Sequence, residues 1–445
     1  MPPESRAARV TAAPAAGRPA GDRPVGDRPV GEDLLARTGD VLRPALDLYL
    51  DLHAHPEPSG HEARTADRFG RRLAAAGCEV THGVGGHGVV GVLGNGDGPR
   101  VWLRAELDAL PVRERTGLAY ASDGEAMHAC GHDLHLAAAA GATALLAALT
   151  DRWRGTLVVV GQPAEETLSG AEAMLGDGLY ERFGRPDVVL AQHAAPLPSG
   201  TVAHGTDRVP MAAAGAVLDV VLHGRGGHAA TPHLAVDPVV AAAAVVTRLQ
   251  GVVARETAPA DQVSLTVGTL RAGTAANVIP ESAALGIGVR AASEASLERA
   301  LASVRRVVRA ESAASGAPRE PEVSVVSRSA ALYGDPSATE AVRRAHTGLL
   351  GAGRVLPWPG SLAAEDFPLF GDAGAGVHGQ PGVPLVYWML GVVDAETWRR
   401  ATAGGPGAPP LVPNHSPYFA PDIAGALRPA VAAMASAALD RLAAR

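Results

Sequence analysis

The sequence predicts an α/β protein with an open, mixed or parallel sheet and a second domain inserted into the first. Short apolar runs that resemble buried strands alternate with helix-compatible stretches, and three of these runs end in acids or a histidine. Between about 209 and 333 the order becomes strand, helix, strand, strand, helix, strand, which is the ferredoxin-like βαββαβ motif. A chain of 445 residues is long enough for two domains.

The N-terminal segment 1–31 is predicted to be a disordered tail. It is rich in Pro, Gly, Ala, Arg and Asp, and the sequence Gly-Asp-Arg-Pro-Val occurs twice in tandem. Such a segment cannot bury enough apolar surface to offset the entropy of ordering. The folded remainder is expected to divide into a first part at 32–208, the insertion at 209–333 and a second part at 334–445.

Hydrophobic periodicity predicts the elements in chain order. In the first part a helix is expected over 32–52, kinked or split at Pro44, because proline removes a helical hydrogen bond. The other helices of the first part are predicted at 62–76 and 134–149, and its strands at 89–93, 101–105, 156–160 and 188–191. The insertion is predicted to hold strands at 216–222, 263–272, 283–291 and 322–326 and helices at 238–255 and 294–314.

Composition excludes several functions. The formal net charge is −7 and no dense block of Arg occurs, so neither nucleic acid nor an anionic membrane is an expected partner. The sequence contains no Lys, which excludes a lysine Schiff base, a Ser-Lys hydrolase and a Gly-Lys phosphate loop. With two Cys, no membrane-length apolar stretch and no signal-peptide pattern, the expected location is the cytoplasm.

The segment 127–135, Met-His-Ala-Cys-Gly-His-Asp-Leu-His, is the strongest chemical signal. It brings together one thiol, three imidazoles and a carboxylate. Cys130 and His132 flank a glycine that lets the backbone turn, so that both side chains can face one ion. A free Cys is often a small buried hydrophobe and a lone His is often structural. The combination favours a metal site.

Glu165 and Glu166 follow the apolar run 157–160 and form the second strong feature. Two adjacent buried carboxylates repel each other, so they require a cation or a shared proton. A metal ion supplies the cation, and one Glu can bind it while the other acts as a general base toward water. The alternative interpretation is a solvated acidic loop.

His193 and His415 are each weak signals, the first at a predicted strand end and the second in a loop between two prolines. With the thiol, one imidazole of the 127–135 segment and one glutamate, they make five N, S and O ligands. One tetrahedral ion needs four, so five ligands suit two neighbouring ions, and zinc and manganese both fit this mixture.

Together these motifs resemble the co-catalytic metallo-amidohydrolase family of aminoacylases, hippurate hydrolases and plant indole-acetyl-amino-acid hydrolases, which is related to the dinuclear zinc carboxypeptidases. The match covers nearly the whole chain after the tail. The matching motifs are 51–57, 104–111, 127–135, 163–166, 192–193, 226–233, 277–281, 365–367 and 415–417.

The resemblance implies a role for each motif residue of the first and last parts. The implied ligands of two divalent ions, zinc or manganese, are Cys130, His132, Glu166, His193 and His415. Glu165 is implied as the general base, and Asp108 as a carboxylate that orients the ligands. The resemblance also implies a non-proline cis peptide at His132-Asp133.

For the insertion, the resemblance implies a dimerisation and lid domain. His228 is similar to the imidazole that polarises the scissile carbonyl, and it is expected to reach the site of a neighbouring subunit. Asn277 and Arg290 are implied as anchors of the substrate carboxylate, which a guanidinium binds as a fork. From the residues alone, these three can equally be a turn His, a turn residue and a surface charge.

The implied function is hydrolysis of the amide of a small N-acyl amino acid by metal-activated water, in a homodimer or larger homo-oligomer. A dipeptidase or carboxypeptidase-like enzyme and a deacylase of a specialised metabolite are alternatives, as is a catalytically silent metal-binding scaffold. A cysteine hydrolase that uses Cys130 as nucleophile would leave the other polar residues without roles. The stretch 394–412, rich in Gly and Pro, is expected to border the pocket and affect the choice of substrate.

Overall fold

The computed structural model describes residues 30–206, 209–404 and 408–443. Its helices are α1 Val30–Arg37, α2 Gly39–Ala54, α3 Ala63–Ala75, α4 His132–Ala147, α5 Gly170–Gly176, α6 Leu179–Phe183, α7 Pro238–Glu256, α8 Glu294–Ala314, α9 Pro336–Leu350, α10 Ala375–His378, α11 Ala395–Thr402 and α12 Ile423–Leu442. Its strands are β1 Glu79–Val84, β2 Gly88–Asn95, β3 Arg100–Glu106, β4 Gly155–Gln162, β5 Val188–Pro198, β6 Val202–His204, β7 Ala214–His223, β8 Gly227–His228, β9 Ser264–Ala272, β10 Val278–Ile279, β11 Ser282–Ala291, β12 Glu322–Ser329, β13 Val355–Pro357 and β14 Leu385–Val393.

The start of the chain differs from the prediction in two ways. The predicted tail lies outside the described residues except for 30–31, which are helical. The predicted helix is split, but at Thr38, whose hydroxyl donates to the carbonyl of Leu35 at 2.6 Å, and not at Pro44. Pro44 lies inside α2, where it removes only one hydrogen bond. The packing of α2 on α4 keeps the helix continuous.

Eight strands form one large mixed sheet in the order β1-β2-β4-β3-β5-β14-β6-β13. The central strands β4, β3, β5 and β14 are parallel neighbours, so their carboxyl ends meet at one edge. This arrangement confirms the predicted mixed α/β sheet. His193 departs from the prediction, because β5 continues to Pro198 through pairing with β14 and the histidine therefore lies inside the strand.

Both faces of the large sheet are covered. Leu157 and Val159 of β4 face the core built with α2, α3, α4, α9 and α12, whereas the alternate residues Val158 and Val160 face the core that includes α5 and α6. This alternation follows from the period of two along a strand. The near-continuous apolar runs of the sequence are thus strands that are buried on both faces.

Residues 209–333 contain the strands and helices that the pattern predicts. Strands β12, β7, β11 and β9 form a separate antiparallel sheet in that order, and α7 and α8 pack on it around a core of their own. Strands β8 and β10 form a two-stranded ribbon. The role of this unit as a lid and dimerisation domain stays a prediction.

Two described helices, α7 and α12, are long and apolar enough to cross a membrane by length and composition alone. The apolar window of α12 is 61% buried inside the protein, and that of α7 is 33% buried. Helix α12 packs against α4 and α9 as a core helix, and α7 packs one face on the small sheet. Helices of this kind are weak evidence for a membrane span.

A buried pair of histidines joins β6 to α9. His346 donates from Nε2 to the carbonyl of Ala433 at 3.0 Å, so its Nδ1 accepts from Nε2 of His204 at 2.9 Å. The Nδ1 atom of His204 is then left with a buried lone pair and no partner. Burial lowers the pKa of His346 to about 4; burial, His346 and Arg343 lower the pKa of His204 well below its usual value.

We expect this pair to make the fold sensitive to acid. Imidazoles with a lowered pKa stabilise the fold fully above their unfolded pKa of about 6.5, and that stability is lost as the pH falls from there toward the folded value. For His346 the loss between pH 7 and pH 5 is about 2 kcal/mol. Urea unfolding at pH 7 and pH 5 gives the drop in unfolding free energy between the two pH values. This drop should be smaller by about 2 kcal/mol in His346→Gln than in the unmodified protein. His61→Gln, at an exposed position, should show the same drop as the unmodified protein. Equal pH dependence in all three proteins would contradict the prediction.

Candidate metal centre

The turn that carries Cys130 and His132 is built around Gly131. Its φ of +86° lies in the left-handed region that favours glycine, and a Cβ at this position would lie 2.9 Å from the Cβ of Ala194. The chain reverses here, so that Cys130 precedes the turn and His132 begins α4 on the same side. The cis peptide implied at His132-Asp133 is wrong, since the described residues contain no cis peptide bond.

Five predicted ligands converge at the edge of the large sheet. The potential ligand atoms of Cys130, His132 and His193 lie within 4.8 Å of one another, and so do those of Cys130, Glu166 and His415. The Sγ atom of Cys130 is 3.4 Å from Nε2 of His193, and Nε2 of His415 is 3.4 Å from Oε1 of Glu166. Cys130 and Glu166 thus lie between the histidines.

Hydrogen bonds behind the cluster fix which nitrogen of two histidines faces it. His132 donates from Nδ1 to the carbonyl of Asp108, and His193 donates from Nδ1 to the carbonyl of Ala194, both at 2.8 Å. Each ring therefore presents a lone pair on Nε2 toward the cluster. His135 uses both nitrogens elsewhere, Nδ1 to Glu106 at 2.7 Å and Nε2 to the amide of Ala194 at 2.8 Å, so it supports the site and is not a free ligand.

Asp108 lies where an orienting carboxylate is expected. Its Oδ2 accepts from the hydroxyl of Ser59 at 2.7 Å and from the amide of Glu166 at 2.9 Å, and its Oδ1 lies 3.3 Å from Nδ1 of His132. Burial raises the pKa of Asp108, but the contacts with His132, Glu166 and Ser59 outweigh burial and lower it. The ionised carboxylate thus holds one glutamate and one histidine in place.

The loop that carries His415 is fixed against the 127–135 segment. The amide of His415 donates to the carbonyl of Ala129 at 2.8 Å, and the side chain of Asn414 donates to the carbonyl of Ala194 at 3.1 Å. His415 has a φ of +67°, an uncommon conformation for a residue other than glycine. A non-glycine residue held in this region at a cluster of polar groups is typical of a functional site.

The site fits a divalent cation. Nε2 of His132, Oε1 of Glu166 and Oδ1 of Asp108 are buried and have no hydrogen-bond partner, and unpaired buried polar atoms are costly. Burial raises the pKa of Cys130, but the imidazoles of His193, His132 and His415 outweigh burial and hold it well below its usual range. A thiolate, imidazoles and a carboxylate are the ligand types that zinc and related ions accept.

Glu165 lies beside the cluster, with Oε2 at 3.8 Å from Nε2 of His132. Its carboxylate is 5% exposed, and burial and Glu365 raise its pKa well above the usual value. The potential ligand atoms of Glu165 and Glu166 lie within 4.8 Å of His132 and of each other. The two adjacent carboxylates predicted to need a cation nearby therefore face the same place.

Sequence reasoning missed the role of Arg104, a fully buried residue of β3 behind Glu165. Its guanidinium donates to Glu365 and Asp366, both at 2.9 Å, and also pairs with Glu106. It further donates to the side chain of Gln162 at 2.8 Å. An Arg inside the buried run 101–105 is the signal that could have revealed this network, because such a charge needs partners. The sequence does not show which distant carboxylates supply them.

The residues predicted in the insertion are separated by the structure. Arg290 lines the cavity of about 450 Å³ that contains Cys130, Glu165 and the other cluster residues. It donates to the carbonyl of Leu362 at 2.7 Å. His228 ends β8 and Asn277 directly precedes β10, both are exposed, and neither is among the residues that line this cavity. Within one chain, the structure therefore brings Arg290 to the site but not the other two.

The fold and the site define a class of protein, an α/β protein with a candidate centre for divalent cations beside a buried carboxylate. Residues 102–397 match the family model described as peptidase family M20/M25/M40. The chain therefore belongs to this family, which confirms the resemblance drawn from its motifs.

Individual relatives agree with this membership. The chain is 40% identical over 243 residues to the hippurate hydrolase of Campylobacter jejuni, a match that covers 54% of this chain and 62% of that protein. The match thus spans less than two thirds of the Campylobacter protein's length. The chain is 31% identical over 368 residues to the N-acetylcysteine deacetylase of Bacillus subtilis, covering 80% of this chain and 90% of that protein.

A solved structure supports the fold and the metal centre. The Bacillus subtilis YXEP protein, a dinuclear metal binding peptidase from the M20 family, matches with a TM-score of 0.71 and 26% identity. The match covers 91% of this chain and 99% of that chain. Together with the ligand clusters of the described residues, this neighbour supports the binding of divalent metal ions.

We expect Cys130→Ala to lower metal affinity by about tenfold or more, because it removes the atom between the histidines. Metal content after dialysis against graded chelator concentrations, measured by mass spectrometry, would show the loss. Cys78→Ala is the matched control, since Cys78 is also a buried free cysteine but packs in the core against α3. Equal metal retention by both variants would contradict the assignment of Cys130.

Proposed function

We propose that the protein is a metal-dependent amidohydrolase that cleaves the amide of N-acyl amino acids to a carboxylate and a free amino acid. The observation that carries the proposal is the buried Glu165 beside five converging ligand residues, in a cavity that also contains a guanidinium. Relatives named hippurate hydrolase and N-acetylcysteine deacetylase support this substrate class.

The residues that would hold two divalent ions, zinc or manganese, are Cys130, His132, Glu166, His193 and His415. When bound, such ions supply Lewis-acid polarisation of a carbonyl and lower the pKa of water. Asp108 orients Glu166 and His132 from behind, through the contacts described above. Two tasks then remain for the chain, the movement of protons and the orientation of the substrate.

Glu165 is the proposed general base. Its carboxylate would accept a proton from the attacking water as the oxygen bonds to the acyl carbon, and would pass that proton to the nitrogen as the C–N bond breaks. Its position beside the cluster and its burial suit this transfer, because bulk water does not compete for the proton. Arg290 would hold the carboxylate of the amino-acid half as a fork.

We further propose that the insertion acts as a lid and dimerisation domain, in a homodimer located in the cytoplasm. The β8-β10 ribbon, the segment after β8 and the start of α7 carry exposed apolar side chains, namely Val278 (52% exposed), Leu234 (65%) and Val240 (64%). Such a patch favours contact with a second copy. In that arrangement His228 would polarise the scissile carbonyl, and Asn277 would assist Arg290, in the partner's site.

The alternatives are less well supported. A catalytically silent scaffold has no need for the buried carboxylate of Glu165. A cysteine hydrolase that uses Cys130 as nucleophile would leave Glu165, Glu166 and His415 beside it without roles. A dipeptidase or a deacylase of a specialised metabolite uses the same chemistry and differs only in substrate.

Glu165→Gln should retain metal and lose turnover by about 100- to 10,000-fold, because the amide cannot accept the water proton. The assay measures release of free amino acid from hippurate, N-acetyl amino acids and dipeptides with zinc or manganese added to metal-stripped protein. Glu172→Gln on the exposed face of α5 should have normal turnover. Full activity of Glu165→Gln, or turnover by metal-free protein, would overturn the mechanism.

Mixing two inactive variants tests whether His228 acts across subunits. We expect His228→Ala to be nearly inactive, and co-refolding it with Glu165→Gln should restore about a quarter of the activity, because half of the dimers are mixed and each has one complete site. His233→Ala, at an exposed position near the same ribbon, should remain active. Absence of any recovery in mixtures that size-exclusion chromatography shows to be dimeric would rule out action in trans.

A further inference from the structure

We propose that Trp358, Leu168 and Met389 form an acyl subsite that selects N-acyl amino acids whose acyl group is large, apolar and uncharged, such as an arylacyl group. The inference rests on the proposed function and adds the acyl class to it. All three side chains line the same cavity as the metal-ligand cluster. They come from three separate segments of the chain, so the apolar wall is assembled by the fold.

Met389 extends from the sheet directly beside a ligand. In the parallel pair of β14 and β5, Met389 is in register with His193, and register partners project to the same face of a sheet. Met389 is 7% exposed and lines the cavity on the same strand register as the His193 imidazole. A methionine adapts its shape to the group that packs on it, and its sulfur makes favourable contacts with aromatic rings.

Trp358 is held rigidly in the wall. Its amide donates to the carbonyl of His204 at 2.7 Å, and its indole Nε1 donates to the carbonyl of Met211 at 3.2 Å. Because the indole N–H is already used, the part of the ring that borders the cavity offers only apolar surface. The flanking residues Pro357 and Pro359 restrict the backbone on both sides.

Leu168 lies in the same tight turn as Glu165 and Glu166. Its amide donates to the carbonyl of Glu165 at 2.7 Å, and its φ of +55° lies in the left-handed region that a leucine rarely adopts. A strained backbone persists only where the surrounding structure imposes it, and such residues gather at ligand-binding sites. The turn thus places an apolar side chain next to the general base.

The charges of the cavity disfavour an acyl group that carries a carboxylate. Among the described lining residues, Arg290 is the one guanidinium, and the proposed function assigns it to the carboxylate of the amino-acid half. The carboxylates Glu165 and Glu166 belong to the metal centre. A second carboxylate on the acyl group would meet the apolar wall without a partner, and its desolvation would oppose binding.

The experiment compares glycine conjugates that differ only in the acyl group: benzoylglycine, acetylglycine and succinylglycine. The metal-loaded protein should show kcat/KM for benzoylglycine at least about tenfold above that for acetylglycine, with succinylglycine lowest. Trp358→Ala should reduce this ratio about tenfold or more, mainly through the benzoyl substrate, and Trp358→Phe should restore most of it. Trp398→Ala, on α11 outside the cavity lining, is the matched control.

Binding provides a readout that does not need turnover. Calorimetric titration of benzoylglycine and acetylglycine into metal-loaded Glu165→Gln should show tighter binding of benzoylglycine. The double variant Glu165→Gln with Trp358→Ala should lose this preference. If Trp358→Ala lowered kcat/KM equally for both substrates, or if the unmodified protein preferred acetylglycine, the acyl subsite would be overturned. The amidohydrolase proposal would remain intact. Failure to hydrolyse any conjugate, with preferential binding of benzoylglycine retained, would instead overturn the proposed reaction.

Discussion

Carboxylates outnumber cations in the buried centre of this protein, and the rest of the structure depends on how that imbalance is resolved. Arg104 compensates one group, in which Glu106, Glu365 and Asp366 surround its guanidinium. Burying any of these charges without the others would cost several kcal/mol, on the order of 3–5. Among the described residues no guanidinium pairs with the second group, Glu165 and Glu166, and imidazoles that present a lone pair on Nε2 do not supply the charge of a divalent ion. The same electrostatic need thus organises both the scaffold and the metal centre.

The parallel strands of the large sheet bring the residues of the site together. Strands β3, β4 and β5 end at one edge, so residues that are far apart in sequence converge there, and Glu106 connects Arg104 to His135 and through it to the amide of Ala194 beside His193. The support behind the ligands is therefore continuous with the support of the sheet. A substitution in the group around Arg104 should therefore alter the geometry of the metal centre, although none of the five proposed ligands contacts that guanidinium.

What could be predicted from sequence was either local or strongly periodic. The turn at Gly131 depends on neighbouring residues, and the strands of the large sheet are long apolar runs, so the Cys130-His132 turn and the mixed sheet were both predictable. His193 and His415 are weak signals alone, and their ligand roles came from the resemblance and stay predictions. The contacts of Arg104 were not, because Glu365 lies 261 residues away in sequence. The break at Thr38 and the extension of β5 past His193 depend on tertiary packing, which overrides local propensity. The catalytic role of His228 and the substrate-binding role of Asn277 stay predictions, since both residues are exposed and lie away from the cavity of their own chain.

The most direct test of the central claim is the position of the metal in a crystal of the zinc- or manganese-loaded protein, read from anomalous scattering at the absorption edge. The account predicts two anomalous peaks among Cys130, His132, Glu166, His193 and His415, with Glu165 close by but not bound as a ligand. A single peak held by Glu165, Glu365 and Asp366, or no peak at the cysteine, would contradict it.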